Sequence, residues 1–398
     1  MVRNGKLLKA QVVQEIEKHQ SALIELSLRI HRQPELGFEE ISAAKHLAEY
    51  LSNSGFNVDT GYCGMSTAFR ATFGTTPPVV AFVAEYDALP KLGHACGHNI
   101  IAAAAVGAGI GAKSVAKQTG GTIVVMGTPG EELYGGKAII IERGGFSGID
   151  IAMMIHPSGQ DNAIVQSLGC ATLDVEFFGK ASHAAAFPQY GINALDAMIL
   201  SFNGINSLRQ HCRDGSRIHG IITKGGEAAN VVPDYTSGRF LVRSYDMEYL
   251  EELKEKVLNC FVAASVATGA KMDYTWGEVS YAPLRTNTTL AKLFCQNIEV
   301  VGRQMPMSSH SQFGSTDMGN VSQVVPSIHP LLSITPTNVS EHSPEFADAA
   351  ASEQGHQALL DGAKALALTF IDVAIEPTCM NKVKEEFAKQ GRSNSKLR

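Results

Sequence analysis

The sequence predicts an α/β protein with a largely parallel sheet, interrupted by a second domain of the α+β class. In the first part of the chain, short β-branched apolar runs alternate with helical stretches, which is typical of parallel α/β folds. From Gly169 the predicted order becomes strand, helix, strand, strand, helix, strand, as in a ferredoxin-like sandwich. We therefore predict one domain over 1–168 and 286–398 and an inserted domain over 169–285.

Two amphipathic helices open the first domain, because apolar residues recur at helical spacing from Leu7 to Leu28 and from Ile41 to Leu51. The apolar runs that follow are short and β-branched, which predicts strands. They read "TAFRATFG", "VVAFVAEYDAL", "TIVVMGTPGEE" and "IDIAMMIHP". Helical stretches after His98 and Gly135 separate these strands. After the insertion, the helix "EQGHQALLDGAKALALTFIDVAI" closes the first domain.

The inserted domain begins with "CATLDVEFFGK", whose alternating pattern predicts a half-exposed strand. The stretch "GINALDAMILSFNGINSLRQH" predicts a helix, and "IHGIITKGGEAANVVPDYTSGRFLVRSYD" predicts two strands around a polar loop. A second helix, "MEYLEELKEKVLNCFVAASVATG", and a strand, "KMDYTWGEV", complete the domain.

Composition favours a small-molecule partner in the cytoplasm. The 398 residues are 44% hydrophobic and 18% charged, with a net charge of −6 and no long block of one sign, which argues against nucleic acid and anionic membrane partners. The N-terminal segment has charges in every apolar run, unlike a secretory signal, and no apolar stretch reaches the ~20 residues of a membrane span. Seven scattered cysteines suit reduced thiols.

Several predicted strands end in residues that bind metals, and open α/β sheets keep their sites at such ends. Cys96 and His98, two residues apart in "GHACGHN", offer a thiolate and an imidazole, which suit Zn²⁺. The competing interpretation is a small buried cysteine beside a histidine at a helix start. Glu131 and Glu132 are adjacent, so one carboxylate can bind metal while its neighbour handles protons. A solvated acidic pair is the competing interpretation for them.

Other polar residues indicate a functional site only when they are considered together. His156 follows the apolar run "IAMMI", where an imidazole needs a polar partner, although a structural histidine satisfies the same pattern. The remaining candidates lie in predicted loops, where surface polarity is the ordinary explanation. They are Asp87, His94, His183, Asn230 and His342.

The ordered set of motifs resembles one family. "RIHRQPELGFEE", "EYDALPKLGHACGHN", "GTPGEELYGG", "MIHPS", "GKASHAAAFP", "NVVPD", "VRSYD" and "EHSPEF" occur in order over almost the whole chain. The chain is thereby similar to the dinuclear-metal aminoacylase and carboxypeptidase family, metallopeptidase family twenty, and to its amidohydrolase subgroup. That subgroup includes plant indole-acetyl amino acid hydrolases. The resemblance implies a zinc-peptidase-like α/β catalytic domain interrupted by a ferredoxin-like α+β lid or dimerisation domain, and a homodimer.

The resemblance also implies the site. Two divalent metal ions, Zn or Mn with Co as a further option, would be held with Cys96 as the bridge between them. The implied ligands are Cys96, His98, Glu132, His156 and His342. Asp87 would orient a ligand, Glu131 would be the general base, and His183 from the partner subunit would stabilise the oxyanion. Asn230, Arg243, Gly314 and Ser315 would bind the substrate, with the Arg243 guanidinium suited to a carboxylate.

Two departures adjust the expected substrate. Asn99 stands where most of the subgroup has Asp, and "EYDALP" replaces a methionine-containing variant. Both features are closer to the branch of Xaa-Arg dipeptidases, which implies hydrolysis of dipeptides with a basic C-terminal residue. Hydrolysis of p-aminobenzoyl-glutamate or another N-acyl amino acid is the competing enzymatic hypothesis. A non-catalytic binding module and redox sensing through Cys96 are two hypotheses of a different class.

Overall fold

The computed structural model describes residues 2–308 and 312–393. The chain divides into two compact units. The first joins Met1–Gln166 to Leu284–Arg398, and the second is Ser167–Pro283. The corresponding boundaries predicted from the sequence are 169 and 285.

The first unit mixes strands and helices on both sides of the insertion. Before it come α1 (Val2–Arg32), α2 (Ile41–Asn53), β1 (Asn57–Thr60), β2 (Phe69–Phe73), β3 (Val79–Ala84), α3 (His98–Thr119), β4 (Thr122–Gly127), α4 (Glu131–Tyr134), α5 (Gly136–Glu142), β5 (Ile151–Met153), β6 (His156–Ser158) and β7 (Gln166–Ser167). In the second unit lie β8 (Gly169–Phe178), α6 (Ala194–Leu208), β9 (Arg217–Lys224), β10 (Tyr235–Ser244), α7 (Met247–Thr268) and β11 (Lys271–Trp276). After it come α8 (Thr288–Val300), β12 (Gln312–Phe313), α9 (Met318–Val324), β13 (Ser327–Ile328), β14 (Leu331–Ser333), α10 (Pro344–Ala349), α11 (Glu353–Ile375) and α12 (Pro377–Ser393). The helix α12 is not predicted from the sequence.

A six-stranded sheet with the order β1-β2-β4-β3-β5-β13 organises the first unit. β3 runs parallel to β4 and β5, and β5 runs parallel to β13, whereas β1 and β2 form an antiparallel edge. The chain therefore leaves β3, β4 and β5 at the same edge of the sheet. That edge carries the candidate site, as expected for an open α/β sheet.

Both faces of the sheet are buried at its central strands β3, β4 and β5, and successive strand residues alternate between them. Phe82 and Val125 face the core under α1, α3 and α11, whereas Val83 and Met126 face the core under α5 and α9. α3 is long and apolar enough to cross a membrane, but it is mostly buried as the central helix of this core. Small residues let its neighbours approach closely: a Cβ on Gly107 would lie 2.9 Å from Leu23 Cδ1.

The second unit is an antiparallel sheet with the order β11-β8-β10-β9. Its elements follow the predicted order of strand, helix, strand, strand, helix, strand. α6 and α7 pack on one face of the sheet, where Leu173, Phe240 and Phe261 form the core. The opposite face, which includes Arg239 and Arg243, is more exposed.

Candidate active site

Asp87, just after β3, orients His98 at the start of α3. His98 Nδ1 lies 2.9 Å from Asp87 Oδ1 and 3.0 Å from the Asp87 carbonyl oxygen, so this nitrogen carries the proton and donates it. In the neutral ring the lone pair is on Nε2, at the opposite side of the ring. Burial alone would raise the pKa of Asp87, but the charge and hydrogen bond of His98 outweigh burial and hold that pKa below its ordinary value.

Glu131 and Glu132 follow β4 through a tight turn at Gly130, which has a φ of +68° and precedes the short helix α4. The peptide N–H of Glu132 donates to Asp87 Oδ2 at 3.0 Å. Glu132 Oε1 lies 3.8 Å from His98 Nε2, and Glu131 Oε2 lies 4.0 Å from the same nitrogen. The adjacent carboxylates and the imidazole therefore share one small space.

Cys96, His156 and His342 complete this arrangement. Cys96 Sγ lies 3.6 Å from His156 Nε2, and His156 Nδ1 donates to the Pro157 carbonyl oxygen at 2.6 Å. His342 Nε2 lies 3.6 Å from Glu132 Oε1. The backbone N–H of His342 donates to the Ala95 carbonyl oxygen at 2.9 Å, which ties the late loop to the segment before α3.

The ligand atoms form two overlapping groups that share Cys96. Within each group the atoms lie within 4.8 Å of one another. One group is Cys96, His98 and His156, and the second is Cys96, Glu132 and His342. Thiolate, imidazole and carboxylate are the usual protein ligands of zinc.

The polar atoms of this cluster fit a cation. His98 Nε2 and Glu132 Oε1 are buried and have no hydrogen-bond partner among residues 2–308 and 312–393. Buried polar atoms of this kind are costly unless another group binds them. Burial, followed by the charge of Glu132, raises the pKa of the Cys96 thiol well above its ordinary value. A cation that binds Cys96 must therefore displace a proton from sulfur.

Glu131 is buried at the edge of the cluster, and burial followed by the charges of Glu85 and Glu132 raises its pKa well above the ordinary value. Bound cations oppose this shift, because a nearby positive charge favours the ionised carboxylate. Such an environment suits a group that must both accept and return a proton.

A buried ion triad lies beside the cluster, and its members are not among the residues predicted from the sequence. Lys137 Nζ is 2.6 Å from Asp317 Oδ1 and also contacts Glu85, and all three side chains are fully buried. Glu85 Oε2 lies 3.6 Å from His98 Nε2. Glu85 directly follows β3. The expectation that site residues lie at the ends of parallel strands, which selected Asp87, therefore applies to Glu85 as well.

A second missed residue is His329, which precedes β14. Its ring is buried and stacks on His156 with centroids 5.2 Å apart and planes at 28°. Burial lowers the pKa of both imidazoles to about 4, so both rings are neutral near pH 7. Its place after a two-residue strand gave no signal in the sequence.

His94 does not join either group. Its Nε2 donates to the Ile30 carbonyl oxygen at 3.1 Å, and burial lowers its pKa to about 3. Asn99 is also buried, and its Nδ2 donates to Ser27 Oγ at 2.9 Å and to the Ala350 carbonyl oxygen at 3.0 Å. The amide at position 99 thus has its own structural partners.

The inserted unit carries three of the predicted residues. Ala184 N–H donates to the Asn230 carbonyl oxygen at 3.0 Å, which places His183 and Asn230 in neighbouring exposed loops. His183 Nδ1 accepts the N–H of Ala186 at 3.1 Å, so Nε2 carries the proton of the neutral ring. Arg243 is half-buried near the end of β10.

The last two predicted residues lie in the first unit. Gly314 is exposed and Ser315 is half-buried, in the loop between β12 and α9. Asp317, two residues further on, holds this loop through the N–H of Lys137 at 2.8 Å. The loop is therefore anchored to the ion triad of Glu85, Lys137 and Asp317.

Similar proteins were found by sequence and by structure. Xaa-Arg dipeptidase of Mus musculus is 37% identical over 400 residues, which cover 96% of this chain and 92% of the relative. A p-aminobenzoyl-glutamate hydrolase chain from Escherichia coli K12 is 33% identical over 68% of this chain and 61% of the relative. A Bacillus subtilis protein described as a dinuclear metal-binding peptidase has a TM-score of 0.69 at 18% identity, over 90% of this chain and 99% of that one.

The predicted fold class, a zinc-peptidase-like domain interrupted by a ferredoxin-like α+β domain, is confirmed by this structural likeness. The profile of peptidase family M20/M25/M40 matches residues 81–369. Since the profile spans more than half of the chain and a relative above 30% identity covers nearly all of it, the chain belongs to peptidase family M20/M25/M40.

Proposed function

We propose that the chain is a metal-dependent dipeptidase that prefers a basic C-terminal residue. The observation that carries the proposal is the pair of ligand groups sharing Cys96, with Glu131 beside them. Similarity to Xaa-Arg dipeptidase over nearly the full chain supports the substrate class.

Two divalent cations would be held by the two groups, with Cys96 as the shared ligand. The remaining ligands would be His98, Glu132, His156 and His342. When bound, the cations supply Lewis acidity at the scissile carbonyl and the attacking water. A thiolate among the ligands favours zinc over manganese, because zinc is the softer cation; cobalt is a further option.

Glu131 moves the proton in this proposal. Its carboxylate accepts a proton from the attacking water and returns it to the nitrogen of the leaving amine. Asp87 holds His98 and Glu132 in place during both steps, since its carboxylate and carbonyl oxygens accept hydrogen bonds from both residues.

The inserted unit would act as a lid and dimerisation domain. His183, contributed by the partner subunit of a homodimer, donates its Nε2 proton to the oxyanion, and Asn230 supports it. Arg243 binds the C-terminal carboxylate of the substrate, and the backbone at Gly314 and Ser315 donates to the same carboxylate. Exposed apolar residues on β9, Ile221 and Ile222, support burial of this edge strand against another subunit.

A cytoplasmic location is supported by the thiols. All seven cysteines lie among residues 2–308 and 312–393 and are reduced thiols, and three of them are buried. Proteins of oxidising compartments usually pair their cysteines, whereas cytosolic proteins keep them reduced.

Metal content and turnover test the proposal together. β-Alanyl-lysine and p-aminobenzoyl-glutamate are assayed before chelation, after chelation, and after Zn²⁺, Mn²⁺ or Co²⁺ is restored. We expect two cations per chain, reversible loss of turnover, and preference for the dipeptide. No bound cation and no restored turnover would leave the non-catalytic binding module as the better explanation.

Hydrolysis of p-aminobenzoyl-glutamate is the second candidate, because the Escherichia coli relative is 33% identical. The same assay separates the two substrates. Faster turnover of p-aminobenzoyl-glutamate would replace the dipeptidase with this activity and leave the cation site unchanged.

Replacing the base tests its role directly. Glu131→Ala should lower kcat by about 10²-fold or more while both cations stay bound, because general-base catalysis contributes on that order. Glu142→Ala serves as the control, since Glu142 is exposed at the end of α5. Turnover by Glu131→Ala close to that of the control would remove Glu131 from the mechanism.

A further inference from the structure

The motif "PELGFEE" lies outside the ligand groups, yet one of its side chains contacts the turn that carries Glu131. Glu40, its last residue, is fully buried in the space between α2 and the turn before α4. Its Oε1 accepts the N–H of Gly130 at 2.7 Å, across 90 residues of sequence. Its Oε2 accepts the hydroxyl of Thr67 at 3.0 Å.

Two buried carboxylates therefore hold the backbone on both sides of Glu131. Glu40 accepts the N–H of Gly130, the residue before the base, and Asp87 accepts the N–H of Glu132, the residue after it. We call Glu40 and Asp87 the carboxylate clamp. Loss of either acceptor would leave a buried backbone N–H without its partner, so the clamp fixes the position of this short turn.

The rest of the motif shapes the same turn from outside. Phe38 has a φ of +67°, unusual for a residue with a side chain, and stacks on Tyr134 with centroids 4.8 Å apart. A Cβ on Gly130 would lie 2.8 Å from Phe38 Cε1, and one on Gly37 would lie 2.9 Å from Gly130 Cα. The segment 37–40 thus packs closely against this turn.

We infer that Glu40 is a positioning residue for the general base, an inference that rests on the proposed function. Through the peptide of Gly130, Glu40 sets the place of the Glu131 carboxylate relative to the scissile bond. Its side-chain hydrogen bonds go to Thr67 and Gly130, and it belongs to neither ligand group. Its loss should therefore slow the chemical step and leave binding of substrate and cations intact, because displacement of a catalytic group by about 1 Å can cost 10²-fold in rate.

Three substitutions in the metal-loaded enzyme test this role. Glu40→Met removes the acceptor and should lower kcat by about 10- to 100-fold, with KM within about 3-fold and two cations per chain. Glu40→Gln keeps a carbonyl oxygen for the Gly130 N–H and should restore kcat to within about 3-fold of wild type. Glu40→Asp keeps the charge but is one methylene too short, so it should behave like Glu40→Met.

Glu35 offers a matched control in the same motif. Its carboxylate also accepts two backbone N–H groups, those of Ser42 at 3.0 Å and Ala43 at 2.9 Å, but these belong to α2. Glu35→Met should lower the melting temperature and leave kcat within about 3-fold of wild type. Equal loss of kcat in Glu35→Met and Glu40→Met would assign both effects to general destabilisation and overturn the inference.

Hydrogen exchange tests the clamp without relying on activity. The peptide over 128–134 should exchange at least about tenfold faster in Glu40→Asp than in wild type or Glu40→Gln, because the Gly130 N–H loses its acceptor. If Glu40→Met does not fold, Glu40→Asp decides both measurements. Unchanged exchange, or wild-type kcat in Glu40→Asp, would overturn the inference. Absence of turnover in the wild type would instead reject the proposed function, and the exchange comparison would still test the clamp.

Discussion

Replacing Lys137 with methionine leaves the carboxylates of Glu85 and Asp317 buried without their shared cation. Lys137 Nζ contacts both, at 2.6 Å in the case of Asp317, and all three side chains are fully buried. Removing one partner of a buried ion pair costs about 3–5 kcal/mol, because the remaining charge is uncompensated. We expect a loss of unfolding free energy in this range for Lys137→Met near pH 8.

The loss should depend on pH in a defined direction. In the wild type, burial raises the pKa of Asp317 to about 6 although Lys137 opposes the shift. Without Lys137 the folded-state pKa of Asp317 rises further above the unfolded value, so the folded chain retains a proton that the unfolded chain releases. Stability then falls as pH rises. Relative to wild type, Lys137→Met should lose up to about 2 kcal/mol more at pH 8 than at pH 6.

Urea unfolding of the chelated protein at pH 6 and pH 8 measures both effects. Far-UV circular dichroism is the suitable probe, because the single tryptophan, Trp276, lies in the inserted unit. The double variant Lys137→Met with Asp317→Asn removes one carboxylate charge and should flatten the pH dependence. A loss of unfolding free energy of the same size at both pH values, or no loss, would show that Lys137 does not compensate the buried charges of Glu85 and Asp317.

Two further predictions concern buried polar side chains. Asn99→Asp should lower the unfolding free energy by about 1–3 kcal/mol, because a carboxylate oxygen would face the Ala350 carbonyl oxygen that now accepts a hydrogen bond from the amide. The measured cation content should stay unchanged, and a loss of cations would place Asn99 in the metal site instead. Burial, followed by the charge of Asp87, raises the pKa of Glu40 from 4.5 to about 7. Glu40→Gln should therefore make the chelated protein more stable than wild type at pH 8, by up to about 3 kcal/mol, and equally stable at pH 4. Melting temperatures at both pH values check this, and equal temperatures at pH 8 would contradict it.

Much of the fold was visible in the sequence because its patterns are local. The strand-and-helix alternation of the first unit and the element order of the inserted unit follow from spacing alone, and the peptidase family follows from the order of the motifs. The helix α12 was missed, because its residues are largely polar and its apolar positions are few. A helix of that kind is stabilised by tertiary packing, which a local sequence pattern does not predict.

The candidate site was predictable to the extent that its residues end strands. Asp87, Glu132 and His156 lie shortly after β3, β4 and β5, and the structure brings them to the cluster, whereas Cys96 lies in the loop that precedes α3. Lys137 and Asp317 were not predictable, because a buried ion pair between residues 180 apart depends on the tertiary fold. His94 shows the opposite error: its residue type suggested a site, but its ring is bound to the Ile30 carbonyl.

The insertion between β7 and α8 also sets the order in which the ligand groups become complete during synthesis. Cys96, His98 and His156 all precede the inserted unit, whereas the second group waits for His342, 186 residues after His156. At about 5–20 residues per second, that interval lasts roughly 10–40 s. The nascent chain thus contains every residue of the first group well before the ribosome has made the residue that completes the second, although β14, which pairs with the strand at His156, is also made after the insertion.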